Sequence, residues 1–198
     1  MTLIRFLLLV LVVCLPCWAA PLKFDFESDE VGKLPRGWTA YSGQWFVTES
    51  APGKVMAQTG ASNGFNLVVD PGRHKDLKLS VRVRAMAGHE DRGGGLVWRC
   101  HDSQNYYICR INPLENNFRI YKVVKGQRLQ MGSADVKLAS NHWYTLQATM
   151  RGAHIECWLD GKRLLTTDDS TFAEAGKVGL WSKADAQSHF DDLQVEDE

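Results

Sequence analysis

An all-β sandwich of two antiparallel sheets is the fold class predicted by this 198-residue sequence. Roughly a dozen short segments rich in aromatic and β-branched residues alternate apolar with polar side chains, a period of two that gives each strand one buried and one solvated face. Short turns separate them, among them Lys125-Gly126, Arg151-Gly152 and Asp160-Gly161. The Asp-Gly pair is a strong two-residue hairpin signal, because that turn needs positive φ. No segment sustains a helical period, and only SADVKLASN and DSTFAEAG leave room for a helical turn.

The chain opens with MTLIRFLLLVLVVCLPCWAA, which has a basic residue at Arg5, an apolar run from Phe6 to Val13 and a small-residue end. This is the pattern of a secretory signal peptide. Cys17 and Ala19 fit the two small positions before a cut, so residues 1–19 are expected to be removed and residues 20–198 to form one domain. The apolar run is short of the ~20 residues that span a bilayer, and the expected product is exported, periplasmic or extracellular, with no membrane attachment. In the mature part, Leu22, Phe24 and Phe26 alternate with Lys23, Asp25 and Glu27 as an edge strand. A Pro/Gly loop from Gly32 to Trp38 leads to a strand at Gln44–Thr48, and Gly64–Val69 is another. Leu77 to Arg84 shows the cleanest alternation, with Leu77, Leu79, Val81 and Val83 pointing inward. AGHEDRGGG reads as a flexible connector.

The central stretch, Gly93 to Val124, reads as a three-strand meander: Leu96–Cys100, Tyr106–Ile111 and Phe118–Val124, joined by polar turn formers. With a first loop of residues 101–105, Cys100 faces Tyr106, Trp98 faces Ile108 and Leu96 faces Arg110. The second loop sets Arg110 opposite Arg119 and Ile108 opposite Tyr121. One face then carries Val97, Cys109, Ile111, Phe118 and Ile120, with Arg99, Tyr107 and Lys122 at the strand ends; this is the expected core side. The other carries Trp98, Tyr106, Ile108, Arg110, Arg119 and Tyr121, rings and guanidiniums suited to a polar, sugar-like or acidic ligand. Two opposed arginines repel unless a carboxylate, a ligand anion or water lies between them. A solvated sheet face with no ligand accounts for the same composition.

Gln127 to Gly132 continues the meander, with Leu129 and Met131 expected on the core face. Farther on, Trp143–Met150, His154–Leu159 and Lys162–Thr167 form consecutive hairpins that place Tyr144, Leu146, Ala148, Ile155, Cys157, Leu159 and Leu164 inside. Lys177–Trp181 and Phe190–Val195 close the structure. The formal charge of zero excludes the basic surplus of a nucleic-acid binder. Three cysteines follow residue 19, Cys100, Cys109 and Cys157. An odd number leaves at least one thiol without an internal partner, and small buried hydrophobes are their expected role.

FDFE with LPRGW, GGGLVWR, NYYICRINPLENNFRIYKVVKG, HWYTLQATMRGAHIECWLDGKRL, GKVGLWSKAD and FDDLQV together resemble the concanavalin A-like lectin/glucanase superfamily, within it the 3-keto-disaccharide hydrolase domain family, related to glycoside-hydrolase family sixteen. The resemblance implies a jelly-roll β-sandwich of two curved sheets and a carbohydrate partner, including acidic or oxidised sugars. A retaining glycanase of this fold carries a Glu-x-Asp-x-x-Glu cluster with two carboxylates about 5 Å apart, and this sequence has none. Glu115, beside Arg110 and Asn112, is then the best single acid, as a hydroxyl ligand, a base or a structural partner of Arg110 or Arg119. His101 is the one histidine beside the proposed face, and Trp181 and Lys183 border it. The superfamily also implies a structural calcium between the first and last strands, with Glu27 and Asp191 as candidate ligands alongside Asp25 and Asp192. Solvated acidic strand ends account for these residues equally. The functional expectations are an exported carbohydrate-binding module in which Trp98, Tyr106 and Tyr121 stack on sugar rings, a glycoside hydrolase or lyase acting on 3-keto disaccharides, or a structural envelope protein.

Overall fold

The computed structural model describes residues 20–60 and 62–198; the expected signal peptide lies outside them. The described chain forms strands β1 (Leu22–Phe24), β2 (Thr39–Ser42), β3 (Trp45–Ser50), β4 (Gly53–Gln58), β5 (Phe65–Val69), β6 (Leu77–Ala87), β7 (Gly94–Asp102) and β8 (Asn105–Asn112). The second half gives β9 (Asn117–Val124), β10 (Gln127–Asp135), β11 (Trp143–Arg151), β12 (His154–Leu159), β13 (Lys162–Asp168), β14 (Lys177–Lys183) and β15 (Gln187–Asp197). One sheet has the order β13-β12-β11-β6-β15-β4-β3 with β1 paired to β15, and the other has the order β10-β9-β8-β7-β14-β5-β2. This is the expected jelly-roll sandwich. Neither SADVKLASN nor DSTFAEAG forms a helical turn; the first instead extends β10 to Asp135.

The core lies between the sheets. From β6 come Leu77, Leu79, Val81 and Val83, fully buried as their alternation predicts. From the β11–β12 hairpin come Leu146, Ala148, Ile155, Cys157 and Leu159, with Tyr144 and Leu164 packed at the margin. The facing sheet contributes Cys109, Ile111, Phe118 and Ile120. Burial of this apolar surface, at about 25 cal/mol per Å², is the main stabilising term.

The meander differs from the sequence expectation at one strand. β8 and β9 pair as expected, Arg110 against Arg119 and Ile108 against Tyr121. On β7, however, Trp98 lies opposite Tyr107, Val97 opposite Ile108 and Gly95 opposite Arg110, with a bulge between Trp98 and Asp102. The bulge centres on Arg99, whose φ of 43° lies in the left-handed region. Its guanidinium is buried and donates to the Lys75 and Phe172 carbonyls and to Asp76 Oδ1. Because side chains alternate, one extra residue exchanges the faces of everything before it. Trp98 therefore lies in the inter-sheet core, stacked on Tyr107 at 5.7 Å with its ring N–H toward Met150 Sδ at 3.3 Å, and Val97 lies on the outer face. Trp98 is not a ligand-face residue. A second bulge, at Gln130/Gly132, leaves Leu129 exposed while Met131 meets the core.

Candidate functional site

The outer face of the seven-stranded sheet carries a second buried cluster: Leu67, Val69, Val97, Cys100, Tyr106, Ile108, Tyr121, Val123 and Trp181, flanked by Tyr41 and Phe65. Across its polar end lies Arg110, buried and set over Gly95; any side chain at position 95 would meet Arg110 Cβ within 2.7 Å. The opposed guanidiniums of Arg110 and Arg119 are bridged by Glu115, whose Oε2 accepts from Arg110 Nη2 at 2.8 Å, Arg119 Nη1 at 3.0 Å and Asn117 Nδ2 at 3.0 Å. Arg110 also donates to Tyr121 Oη at 3.0 Å and to Asn117 Oδ1. Burial pushes the Glu115 carboxyl upward, but the Asn117 hydrogen bond and the two arginines outweigh it and hold the pKa below its ordinary value. Glu115 is thus a carboxylate committed to three donors, a poor base and a good scaffold.

A second carboxyl is buried beside this face. Asp91, in the β6–β7 connector, is 2 % exposed. Its Oδ1 accepts from Asn112 Nδ2 at 3.1 Å, and its Oδ2 faces Lys183 Nζ at 3.6 Å, beyond a hydrogen bond. Burial raises its pKa; the charges of Arg110, Lys183 and Arg128 oppose that rise and Glu115 adds to it. Asp91 and Glu115 therefore feel each other, two carboxylates from separate loops at one end of the sheet. The connector is held by Asp185, whose carboxylate accepts the backbone N–H groups of His89, Glu90 and Asp91 at 2.6–3.0 Å. No sequence motif marks Asp91; its only signal is an acid next to the Gly-rich start of β7.

Arg128 of β10 completes the face. Its guanidinium lies 4.4 Å from the Tyr121 ring centroid, 5.4 Å from Phe65 and 5.7 Å from Trp181. Two buried guanidinium nitrogens here, Arg110 Nε and Arg128 Nη1, have no hydrogen-bond partner among the described residues, while the Trp181 side chain hydrogen-bonds the Tyr106 phenol. Burial raises the pKa of Tyr106, which keeps the phenol neutral.

Of the residues expected at a site, the structure gathers Tyr106, Arg110, Asn112, Glu115, Arg119, Tyr121, Trp181 and Lys183 on or beside one face. It removes Trp98 to the core. His101 lies near the end of β7, beside the start of β8 and about 25 Å from Glu115 by strand length, with its ring 5.6 Å from Phe172. His101 and Glu115 therefore cannot share a proton-transfer step. Asp91, Asn117 and Arg128 join the site without having been expected there.

The acidic residues after β1 and in the middle of β15 do converge: burial raises the Asp191 pKa, the Asp192 N–H and Arg82 oppose that rise, and the Asp192 and Glu27 charges add to it. Lys54 Nζ takes the Glu27 and Asp29 carbonyls at 2.9 Å, Glu27 Oε1 accepts the Lys54 N–H, and Arg82 reaches Asp192 at 3.0 Å and Asp191 at 3.6 Å. Among the described residues no group of three or more His, Cys, Asp or Glu is placed to hold a metal ion.

Residues 24–196 match the family model described as the 3-keto-alpha-glucoside-1,2-lyase-like domain. Curated proteins give no match. Among solved structures, the carbohydrate-binding module CBM66 from Bacillus subtilis aligns at TM-score 0.71 with 22% identity, covering 81% of this chain and 95% of that one. A Bacillus subtilis protein of unknown function with a galectin-like fold aligns at 0.66 with 12% identity, covering 90% and 96%. A Bacillus licheniformis β-glucanase aligns at 0.63 with 14% identity, covering 91% and 99%. These likenesses establish the concanavalin A-like fold.

Proposed function

The chain belongs to the 3-keto-alpha-glucoside-1,2-lyase-like domain family, and we propose that its outer-face site binds a 3-keto sugar and eliminates the group attached at C1. The C2 hydrogen of such a sugar is acidified by the adjacent C3 carbonyl. Its removal leaves an enolate. Collapse of the enolate restores the carbonyl, forms the C1=C2 double bond and expels the aglycone oxygen, which takes up the proton; no water is consumed.

The observation that carries this reading is Asp91. A buried carboxylate with a raised pKa is a stronger base than a solvated one, and its Oδ2 makes no hydrogen bond among the described residues. In the proposal Asp91 Oδ2 takes the C2 proton and returns it to the departing oxygen. Lys183 and Arg110 keep the carboxyl ionised, and Arg110 Nε, without a partner among the described residues, donates to the C3 oxygen as charge develops there. Tyr106, Tyr121 and Trp181 supply apolar walls. Export is part of the proposal, on the apolar run and small residues before position 20.

A 3-keto-α-glucoside with a chromogenic aglycone tests it. The wild type should release aglycone together with an enone absorbance, with a rate that falls as pH drops through a pKa above the 3.8 of an ordinary aspartate. Asp91→Asn, which keeps the Asn112 contact, should lose about 10²-fold or more in kcat while binding persists. Saturable binding without product in the wild type would overturn the lyase and leave a carbohydrate-binding module. That second reading is favoured by Glu115, whose Oε2 is held by Arg110, Arg119 and Asn117.

A further inference from the structure

We infer that the Arg128 corner of this face is a subsite for a carboxylate carried on the leaving-group side of the sugar; the inference rests on the sugar-site reading above. The cations nearest it have carboxylates: Arg110 and Arg119 share Glu115, Arg119 also feels Asp135, and Lys183 faces Asp91. Arg128 makes no ion pair among the described residues. Rings occupy its surroundings instead, with Tyr121, Phe65 and Trp181 all within 5.7 Å. Stacked rings satisfy the faces of a guanidinium but none of its in-plane N–H groups, and Arg128 Nη1 is buried without an acceptor. A buried donor left unmade is costly.

The neighbouring orphans narrow the ligand's chemistry. Arg128 Nη1 and Arg110 Nε can only donate, so a ligand that satisfies them must accept. A sugar hydroxyl brings a donor with each acceptor, whereas a carboxylate brings acceptors alone and matches the guanidinium fork in its own plane. β10 is the edge strand of its sheet. Arg128 is also near enough to Asp91 for its charge to be felt there, so one ligand can span both.

The test uses 4-carboxyphenyl 3-keto-α-glucoside and its methyl ester, titrated by tryptophan fluorescence into the Asp91→Asn protein so that neither is consumed. The acid should bind about tenfold tighter than the ester at low salt, with the advantage shrinking as ionic strength rises. Arg128→Gln on the same background should erase the advantage of the acid over the ester. Equal affinities for acid and ester, or an advantage that survives Arg128→Gln, would overturn the subsite while the sugar site stands. Failure of both compounds to bind would overturn the sugar site and the subsite together.

Discussion

Asp169 accepts hydrogen bonds from Lys122 Nζ at 2.6 Å, Tyr107 Oη at 2.7 Å and the Thr171 N–H at 2.8 Å. Burial pushes its pKa up, but these donors outweigh burial and depress it strongly. Asp91, at the other end of β8, has one neutral donor and a distant ammonium, so burial wins and its pKa rises. The pH consequences have opposite signs. Asp169 adds stability that is fully present above its unfolded pKa near 3.8 and is lost as pH falls through the depressed folded value. Asp91 favours the fold most when protonated, and that contribution fades as pH rises from its unfolded toward its folded pKa. Asp169→Asn should therefore cost about 2 kcal/mol at neutral pH, typical of a hydrogen bond to a charged group. The cost should shrink in urea melts below pH 3.8. An unchanged difference across that range would contradict the assignment. The cluster also explains Tyr107 and Lys122, polar residues that the alternation places on the core side at strand ends.

At the scale of elements, strand positions were largely readable from period and turn chemistry, including the β8–β9 register that sets Arg110 against Arg119. β2 and β4 were missed because neither shows alternation: Gly53–Gln58 ends in four consecutive buried residues. The β7 register failed at Arg99, since a bulge is stabilised by distant carbonyls at Lys75 and Phe172 that a local pattern cannot contain. Gly176 is the complementary feature. A Cβ there would lie 2.3 Å from the Arg99 carbonyl carbon and 2.6 Å from its Cα, backbone that cannot step aside. Gly176→Ala should destabilise by about 1–3 kcal/mol, visible as a lowered Tm, and should move Trp98 fluorescence because the bulge decides which face Trp98 occupies. A neutral Gly176→Ala would show that the bulge tolerates displacement.

At the scale of the whole molecule, the sandwich was legible because every strand reports the same two-layer solution, whereas the site was legible only in part. Arg110, Glu115, Arg119 and Tyr121 share one meander and could be assembled from local register. Asp91 and Arg128 reach the same face from a connector and an edge strand, and Trp181 and Lys183 come from β14 on the far side of β7. Such convergence is a property of the closed fold. It also explains why a sequence without a paired-carboxylate motif nonetheless brings Asp91 and Glu115 within electrostatic reach.

Cys100, Cys109 and Cys157 are free and fully buried, and burial pushes the Cys100 thiol up to about 12. A thiol that is neither ionised nor reachable does not react with an alkylating reagent until the structure opens around it. The three sample different layers, Cys109 and Cys157 between the sheets and Cys100 beneath the ligand face. Together they make a built-in clock of opening. Under native conditions Cys109 and Cys157 should be alkylated at one common slow rate set by global unfolding, and bound sugar should slow Cys100 through its own layer. Rapid labelling of Cys109 or Cys157 in the native protein would show that the two sheets separate independently of global unfolding.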